Sequence, residues 1–340
     1  MAEEFLRYDD KADEPASRLL RENAIQQVLD LDSASSWLTA HDAADLGPDT
    51  RLEIFTEGGE SRPFSHLFEQ RSTTSAIVLG DVRKVLERMP SGVFQTCVTS
   101  PPYWSLRDYG LPGQIGLEDS VYDYLDTLVL AFEEVRRVLR NDGTLWLNLG
   151  DSYTSGNRTW RAPDRKNPIR AMDMRPATPA GLKPKDLIGV PWRLALKLQE
   201  AGWYLRADII WNKPNCQPES VKDRPTRSHE YMFLLSKSER YYYDVGATKG
   251  PNGRRLRTVW GINTQPNGKP AHFATFPLRL VEPCITSASR PGDLVLDPFL
   301  GSGTTGLVAL AMGRRFIGCE IHPDYVEMAR RRIARAIPCS

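Results

Sequence analysis

The chain cannot stay extended past Thr99. The run Val93, Phe94, Cys97, Val98 has the make-up of a core strand. Pro101 and Pro102 then stop it, because proline lacks the N–H a β-ladder needs and fixes φ. A turn directly after a buried strand is therefore required. Thr99-Ser100-Pro101-Pro102-Tyr103-Trp104 gathers a hydroxyl, two main-chain carbonyls and an aromatic face there. Open α/β sheets bind ligands at that carboxyl edge. Taken alone, Ser-Pro-Pro is equally at home in a plain surface turn.

The neighbouring sequence supplies the sheet. Ala76-Ile77-Val78-Leu79 reads as a short apolar strand, followed by Gly80-Asp81 and a helix with Val82, Val85, Leu86 and Met89 inward. Past the prolines, Val121, Tyr124, Leu125, Leu128, Phe132, Val135 and Leu139 step by three and four, an amphipathic helix. Asn141-Asp142-Gly143 is read as its stop and Thr144 to Leu149 as the next buried strand. Strand alternating with helix predicts a parallel sheet with crossovers. Further strands are expected at 203–211, 231–235, 294–297 and 315–320, with helices at 191–201, 304–312 and from Pro323 onward.

A second stretch narrows the site. Asp297-Pro298-Phe299-Leu300-Gly301-Ser302-Gly303-Thr304-Thr305-Gly306 opens a helix after a strand and satisfies Gly-x-Gly-x-x-Gly. Glu320 ends the following strand, where an acid can take ribose hydroxyls. A nicotinamide-dependent dehydrogenase is the first reading of that fingerprint. Chain order opposes it, since only one strand follows and the second half of a dinucleotide fold is missing. If the earlier strands complete the sheet, the fold is permuted, and its ligand needs an adenosine-like end without a second nucleotide. S-adenosylmethionine meets that requirement.

Composition removes other classes. The 340 residues, 41% hydrophobic and 26% charged, leave room for one large α/β domain with insertions or for two small ones. Absence of an apolar run of about 18 residues, with an acidic amino end, predicts a cytoplasmic protein without membrane contact. Five scattered cysteines form no Cys-x-x-Cys pair, so neither zinc nor a disulfide framework is expected, and Cys97 and Cys319 read as buried thiols. A net charge of +1 carries no general nucleic-acid signal. Local basic segments do: 155–185 interleaves arginines and lysines with Trp160, and 244–270 holds Arg254, Arg255, Arg257 and Trp260. Residues 1–72 read as an extension with helical spacing from Leu19 to Leu29, either a packed arm or one that contacts DNA or dimerises.

Together, Thr99-Ser100-Pro101-Pro102-Tyr103 upstream and Asp297-Pro298-Phe299-x-Gly301-x-Gly303-Thr304-Thr305 downstream resemble the β-class DNA amino-methyltransferases, in which the catalytic motif precedes the cofactor motif. Gly80-Asp81, Trp211-Asn212-Lys213-Pro214-Asn215, Ser228-His229-Glu230-Tyr231 and Phe276-Pro277 resemble further motifs of that family. The resemblance runs from about residue 75 to 335. It implies a Rossmann-like, mostly parallel, circularly permuted methyltransferase sheet over residues 73–340, with a helical N-terminal extension and 155–185 and 244–270 as inserted DNA-recognition loops.

It also implies roles. Phe299, Gly301, Gly303, Thr304 and Thr305 approach S-adenosylmethionine, Glu320 takes its ribose, Asp81 faces the adenine end, and Asp297 and Phe276 lie near the methionine moiety. Ser100, Pro101, Pro102 and Tyr103 form the catalytic set. The Ser form is typical of N4-cytosine enzymes of restriction–modification systems, and Asp in that place of N6-adenine enzymes, which is the alternative. Implied partners are double-stranded DNA in the nucleoid, a second copy of the chain and a cognate restriction endonuclease. Lys213 and Arg224 are read as phosphate contacts or salt-bridge partners. Pro283-Cys284 and Pro338-Cys339 are the Pro-Cys pairs that cytosine C5 chemistry would need, but neither follows a strand pattern. A catalytically silent DNA-binding module is the third class of reading.

Overall fold

A computed structural model describes residues 38–40, 51–55, 68, 75–154, 176–249, 253–264 and 276–334. One ten-stranded sheet runs through them. Its strands are β1 (Leu38–Ala40), β2 (Arg51–Phe55), β3 (Ser75–Leu79), β4 (Phe94–Thr99), β5 (Leu139–Leu149), β6 (Tyr204–Asn212), β7 (His229–Ser236), β8 (Val259–Gly261), β9 (Leu294–Asp297) and β10 (Arg315–Glu320). The spatial order is β1-β2-β3-β10-β9-β4-β5-β7-β6-β8. Its centre, β3-β10-β9-β4-β5, is parallel throughout, and the antiparallel pairs lie toward the flanks.

Among the described residues, six α-helices cover the two faces: α1 (Val82–Glu87), α2 (Val121–Val138), α3 (Val190–Glu200), α4 (Leu278–Ala288), α5 (Thr304–Ala311) and α6 (Pro323–Ala334). Successive strand residues point to opposite faces. Cys97 accordingly joins the core under α1, α2 and α3, while Val98 joins the core under α4, α5 and α6. Ser120 caps α2 by accepting from the Tyr122 N–H at 3.1 Å. Arg137 in its last turn donates to the Leu86 and Met89 carbonyls at 2.6 and 2.8 Å, closing the end of α1. No described helix is long and apolar enough to cross a membrane.

Two elements differ from the sequence reading. The Asn141-Asp142-Gly143 stop lies inside β5, which begins at Leu139, immediately after α2. Tertiary partners override the local turn signal: Tyr242 donates to the Asp142 carbonyl at 2.9 Å and Lys237 to that of Gly143 at 3.2 Å. In the extension, β1 and β2 are strands, because β3 offers an open edge that β2 pairs antiparallel. The helical spacing from Leu19 to Leu29 lies outside the described residues, as does 155–175 of the first basic segment.

The order of strands fixes where a ligand can sit. β4 leads through α2 to β5 on one side, and β9 leads through α5 to β10 on the other. The two strands are parallel neighbours, with Thr96 opposite Val295 and Cys97 opposite Leu296. The connections that leave them diverge, so a crevice opens between their carboxyl ends.

Candidate active site

Thr99 closes β4 and Asp297 closes β9, and the Thr99 hydroxyl donates to Asp297 Oδ1 at 2.7 Å. The Phe299 N–H donates to the same oxygen at 3.2 Å, which starts the turn. The Thr305 hydroxyl in the first turn of α5 reaches back to the Val98 carbonyl at 3.1 Å. Two stretches about two hundred residues apart are thus bolted together just below the crevice.

The crevice is a cavity of about 150 Å³. From the β4 side it is lined by Ser100, Pro101, Pro102 and Tyr103, and from the β9 side by Phe299, Gly301 and Thr304. Asp81, Phe276 and Glu320 close it. Ten of the thirteen sequence-derived site residues therefore share one cleft. The other three stand behind its walls. Asp297 is 1% exposed. Gly303 caps α5 at φ 81, and a Cβ there would lie 3.0 Å from that of Ala329, so it is the packing of α5 on α6 that requires glycine. Thr305 is fully buried.

Glu320 is held as a ready acceptor. Its Oε2 takes the Gly301 N–H at 2.8 Å and its Oε1 the His322 N–H at 2.9 Å. Burial pushes its carboxyl up to about 7 against the lowering effect of those bonds. Burial likewise pushes Asp297 up to about 6, against the bonds from Thr99, Thr305 and Phe299. Asp81 is different: burial would raise it, but the side-chain and backbone bonds from Arg83 outweigh burial and hold it below the usual carboxylate range. Arg83 Nη2 is 2.6 Å from Asp81 Oδ2 and 3.0 Å from the Gly113 carbonyl.

On the opposite wall the loop after β4 is fastened by side chains. The Tyr124 hydroxyl donates to the Pro102 carbonyl at 2.8 Å, and no described residue donates to the carbonyl of Pro101. Trp104 is buried and its Nε1 donates to the Glu118 carbonyl at 2.9 Å, so it packs rather than faces the cleft. Ser105 takes a left-handed φ of 56, strained for a non-glycine residue. The Tyr103 hydroxyl donates to Glu230 Oε2 at 2.9 Å.

Arg107 and Tyr109, further along this loop, also line the cleft. Tyr109 meets His322 and Tyr325 edge-on, at 5.9 and 5.7 Å between ring centroids, and Arg107 Nη1 donates to the Tyr325 hydroxyl at 3.3 Å. Sequence reasoning missed these residues. Their only signal is position: a glycine-rich loop directly after the Pro-Pro turn.

Lys213 is paired with Glu230, and Arg224 with Glu219 at 2.6 Å while stacking 3.8 Å from the Tyr153 ring centroid. Both make the salt bridges that were one of their two readings. Within the second basic segment, β8 joins the sheet edge and Trp260 is buried against Trp146, while 250–252 and 265–270 lie outside the described residues. Cys284 is fully buried inside α4, its Sγ donating to the Leu280 carbonyl at 3.3 Å, and it does not line the cleft. Cys339 lies outside the described residues.

Comparison with known proteins gives a consistent picture. A DNA methylase family matches residues 94–331. Type II methyltransferase M.Cfr9I of Citrobacter freundii is 61% identical over 258 residues, covering 75% of this chain and 86% of that protein. Type II methyltransferase M.SmaI of Serratia marcescens is 57% identical over 273 residues, covering 78% and 93%. Among solved structures, the PvuII DNA methyltransferase (cytosine-N4-specific) superposes with a TM-score of 0.59 at 24% identity, over 76% of this chain and 85% of that one, a likeness of fold. A putative DNA modification methylase from Thermus thermophilus, complexed with S-adenosyl-L-methionine, gives 0.55 at 27% identity over 76% and 93%.

Proposed function

The chain belongs to the DNA methylase family, and on that premise we propose that it transfers the methyl group of S-adenosylmethionine to the exocyclic N4 amine of a cytosine flipped out of double-stranded DNA. One observation supports the choice: Ser100 and Pro101, whose carbonyl accepts from no described residue, line the same cleft as the Gly301 turn and Glu320.

The cleft fits the cofactor. A Cβ at Gly301 would meet nothing within 4 Å, so the turn leaves its backbone open to the cleft. Glu320 offers a carboxylate to the ribose hydroxyls, and Phe276 and Phe299 supply apolar surface beside the remainder. S-adenosylmethionine, when bound, supplies a methyl group on a sulfonium. Asp297 helps indirectly, by fixing the two strand ends at the separation the transfer needs.

Cytosine N4 is a poor nucleophile because its lone pair is delocalised into the ring. Ser100 Oγ and the Pro101 carbonyl can each accept one N–H of that amine. Two such acceptors favour a pyramidal nitrogen and aim its lone pair toward the cofactor side of the cleft. No covalent enzyme adduct is required, so the residues act by positioning and electrostatics. The proton released after transfer leaves through Ser100 to water. Flipping costs a few kcal/mol, and stacking on the Tyr103 ring, about 1–3 kcal/mol per base, offsets it. Protection of DNA against a cognate endonuclease is the proposed role, as the names of the Type II relatives suggest.

The test is chemical. Purified protein, incubated with labelled S-adenosylmethionine and duplex DNA, is expected to give N4-methylcytosine on digestion and chromatography. N6-methyladenine as the sole product would overturn the choice of base, and 5-methylcytosine the mechanism.

A further inference from the structure

We infer that Glu230 is a positioning residue for the transfer, clamping the Tyr103 ring in the orientation in which it receives the extruded base; this rests on the methyltransferase reading above. Tyr103 leaves the carboxyl end of β4, whereas Glu230 is the second residue of β7, 127 residues away, and their hydrogen bond is 2.9 Å long.

The carboxylate that takes this bond is itself fixed. Its other oxygen is paired with Lys213 Nζ, and that nitrogen also lies 4.2 Å from the Trp211 ring centroid. Trp211 stands directly opposite Glu230 in the β6–β7 ladder, so backbone pairing sets the whole arrangement. Lys213 and Glu230 side chains are each 17% exposed. An ion pair so far from water is weak evidence for stability, because desolvation cancels much of its attraction. Its evident effect is geometric: Glu230 cannot rotate away from Tyr103 without giving up Lys213.

The same hydroxyl end of the ring is packed against Gly150, which follows β5. A Cβ there would lie 2.9 Å from Tyr103 Cε2 and 3.2 Å from Glu230 Cγ and Cδ. Ring, carboxylate and glycine backbone are in contact with no room for a methyl group. Burial and the Glu230 charge push the Tyr103 hydroxyl well above its usual pKa, so it remains a donor throughout the working pH range. A stacking face held in place before the base arrives costs no ordering when it does.

The test is a double-mutant cycle read in methyl transfer to unmodified genomic DNA, with cofactor binding followed by calorimetry. Glu230→Ala is expected to lower kcat about tenfold or more, the scale of a misplaced positioning group, with the Kd for S-adenosylmethionine within about twofold. Glu230→Gln keeps an acceptor for the Tyr103 hydroxyl and should return kcat to within about threefold of the unsubstituted protein. In a Tyr103→Phe background Glu230→Ala should cost no more than about a further twofold, since the contact is already gone. Losses that multiply, or a Gln variant no better than Ala with cofactor affinity falling in step, would overturn the inference. Should Glu230→Ala not fold, Tyr103→Phe removes the same hydrogen bond from the other side: a kcat about tenfold lower with the cofactor Kd within about twofold supports the inference, and an unchanged kcat overturns it. No transfer by the unsubstituted protein would overturn the methyltransferase reading and the inference together; a normal rate in Glu230→Ala would overturn the inference alone.

Discussion

The turn after β9 is held through its main-chain groups: Leu300 N–H on the Cys319 carbonyl at 2.8 Å, Gly303 N–H on that of Leu300 at 3.0 Å, Gly301 N–H on Glu320, and Arg332 on the Ser302 carbonyl. The loop after β4 is held by side chains: Tyr124 on the Pro102 carbonyl, Glu230 on Tyr103, and the loop's own Trp104 on the Glu118 carbonyl. A wall fastened through its main chain is insensitive to most side-chain changes in the turn itself, but at Gly303, packed on α6, it cannot accept a new Cβ. A wall fastened through side chains loses a contact with each deletion, and the residues that line the cleft shift with it. Damage to the first should register as lost stability, damage to the second as lost rate.

Ser100→Ala is the sharpest probe of the side-chain wall. We expect kcat to fall about 10²-fold or more, as when one preorganised polar partner of a transition state is removed, while the thermal midpoint stays within about 2 °C because the site is partly exposed. A large fall in the midpoint would erase the distinction between the walls. Gly303→Ala should do the opposite. Its φ of 81 and the 3.0 Å approach to Ala329 predict about 1–3 kcal/mol of lost stability in urea. Cofactor affinity at low temperature, where the protein is folded, should survive.

The third probe is pH. Glu320 is raised to about 7 in the fold, chiefly by burial, so the native state keeps a proton that the unfolded chain sheds near pH 4.5. Stability of the ligand-free protein should therefore decline as pH rises from about 4.5 to 7, by up to about 1.4 kcal/mol per unit. Cofactor affinity should move the other way, because ribose hydroxyls donate to the charged carboxylate. Calorimetry at pH 6 and 8 is expected to show tighter binding at 8, and Glu320→Gln should flatten the difference. The smallest effect belongs to Cys284→Ala, whose thiol is remote from the cleft: transfer rates should stay within about twofold, and a silenced enzyme would reopen a cysteine mechanism.

Runs buried on both faces were legible because their neighbours in the sheet are equally apolar, so Ala76–Leu79, Val93–Thr99 and Leu294–Asp297 announce themselves locally. The cleft residues were legible where the chain must turn: Pro101-Pro102 and Gly301 carry their constraint in their own covalent structure. What depends on a distant partner was not. Nothing near Gly150 tells that Tyr103 will press against it, and Arg107 gives no local hint of Tyr325. The Asn-Asp-Gly stop was misleading for the same reason, since its carbonyls find donors almost a hundred residues later. The division of labour inside the second motif was also hidden: Gly301 opens to ligand, while Gly303 two residues on serves helix packing.

The strand order bears on how the chain is made. During synthesis β3 and β4 emerge early, and the two strands that fill the gap between them, β9 and β10, follow about two hundred residues later. Until then the nascent sheet carries two open edges where its centre will be. The loop after β4 is thus complete long before the turn that faces it, and the cleft between them cannot close until residues 294–320 have been threaded into place. Loss of β9 and β10 would remove the keystone of the sheet rather than an appendage.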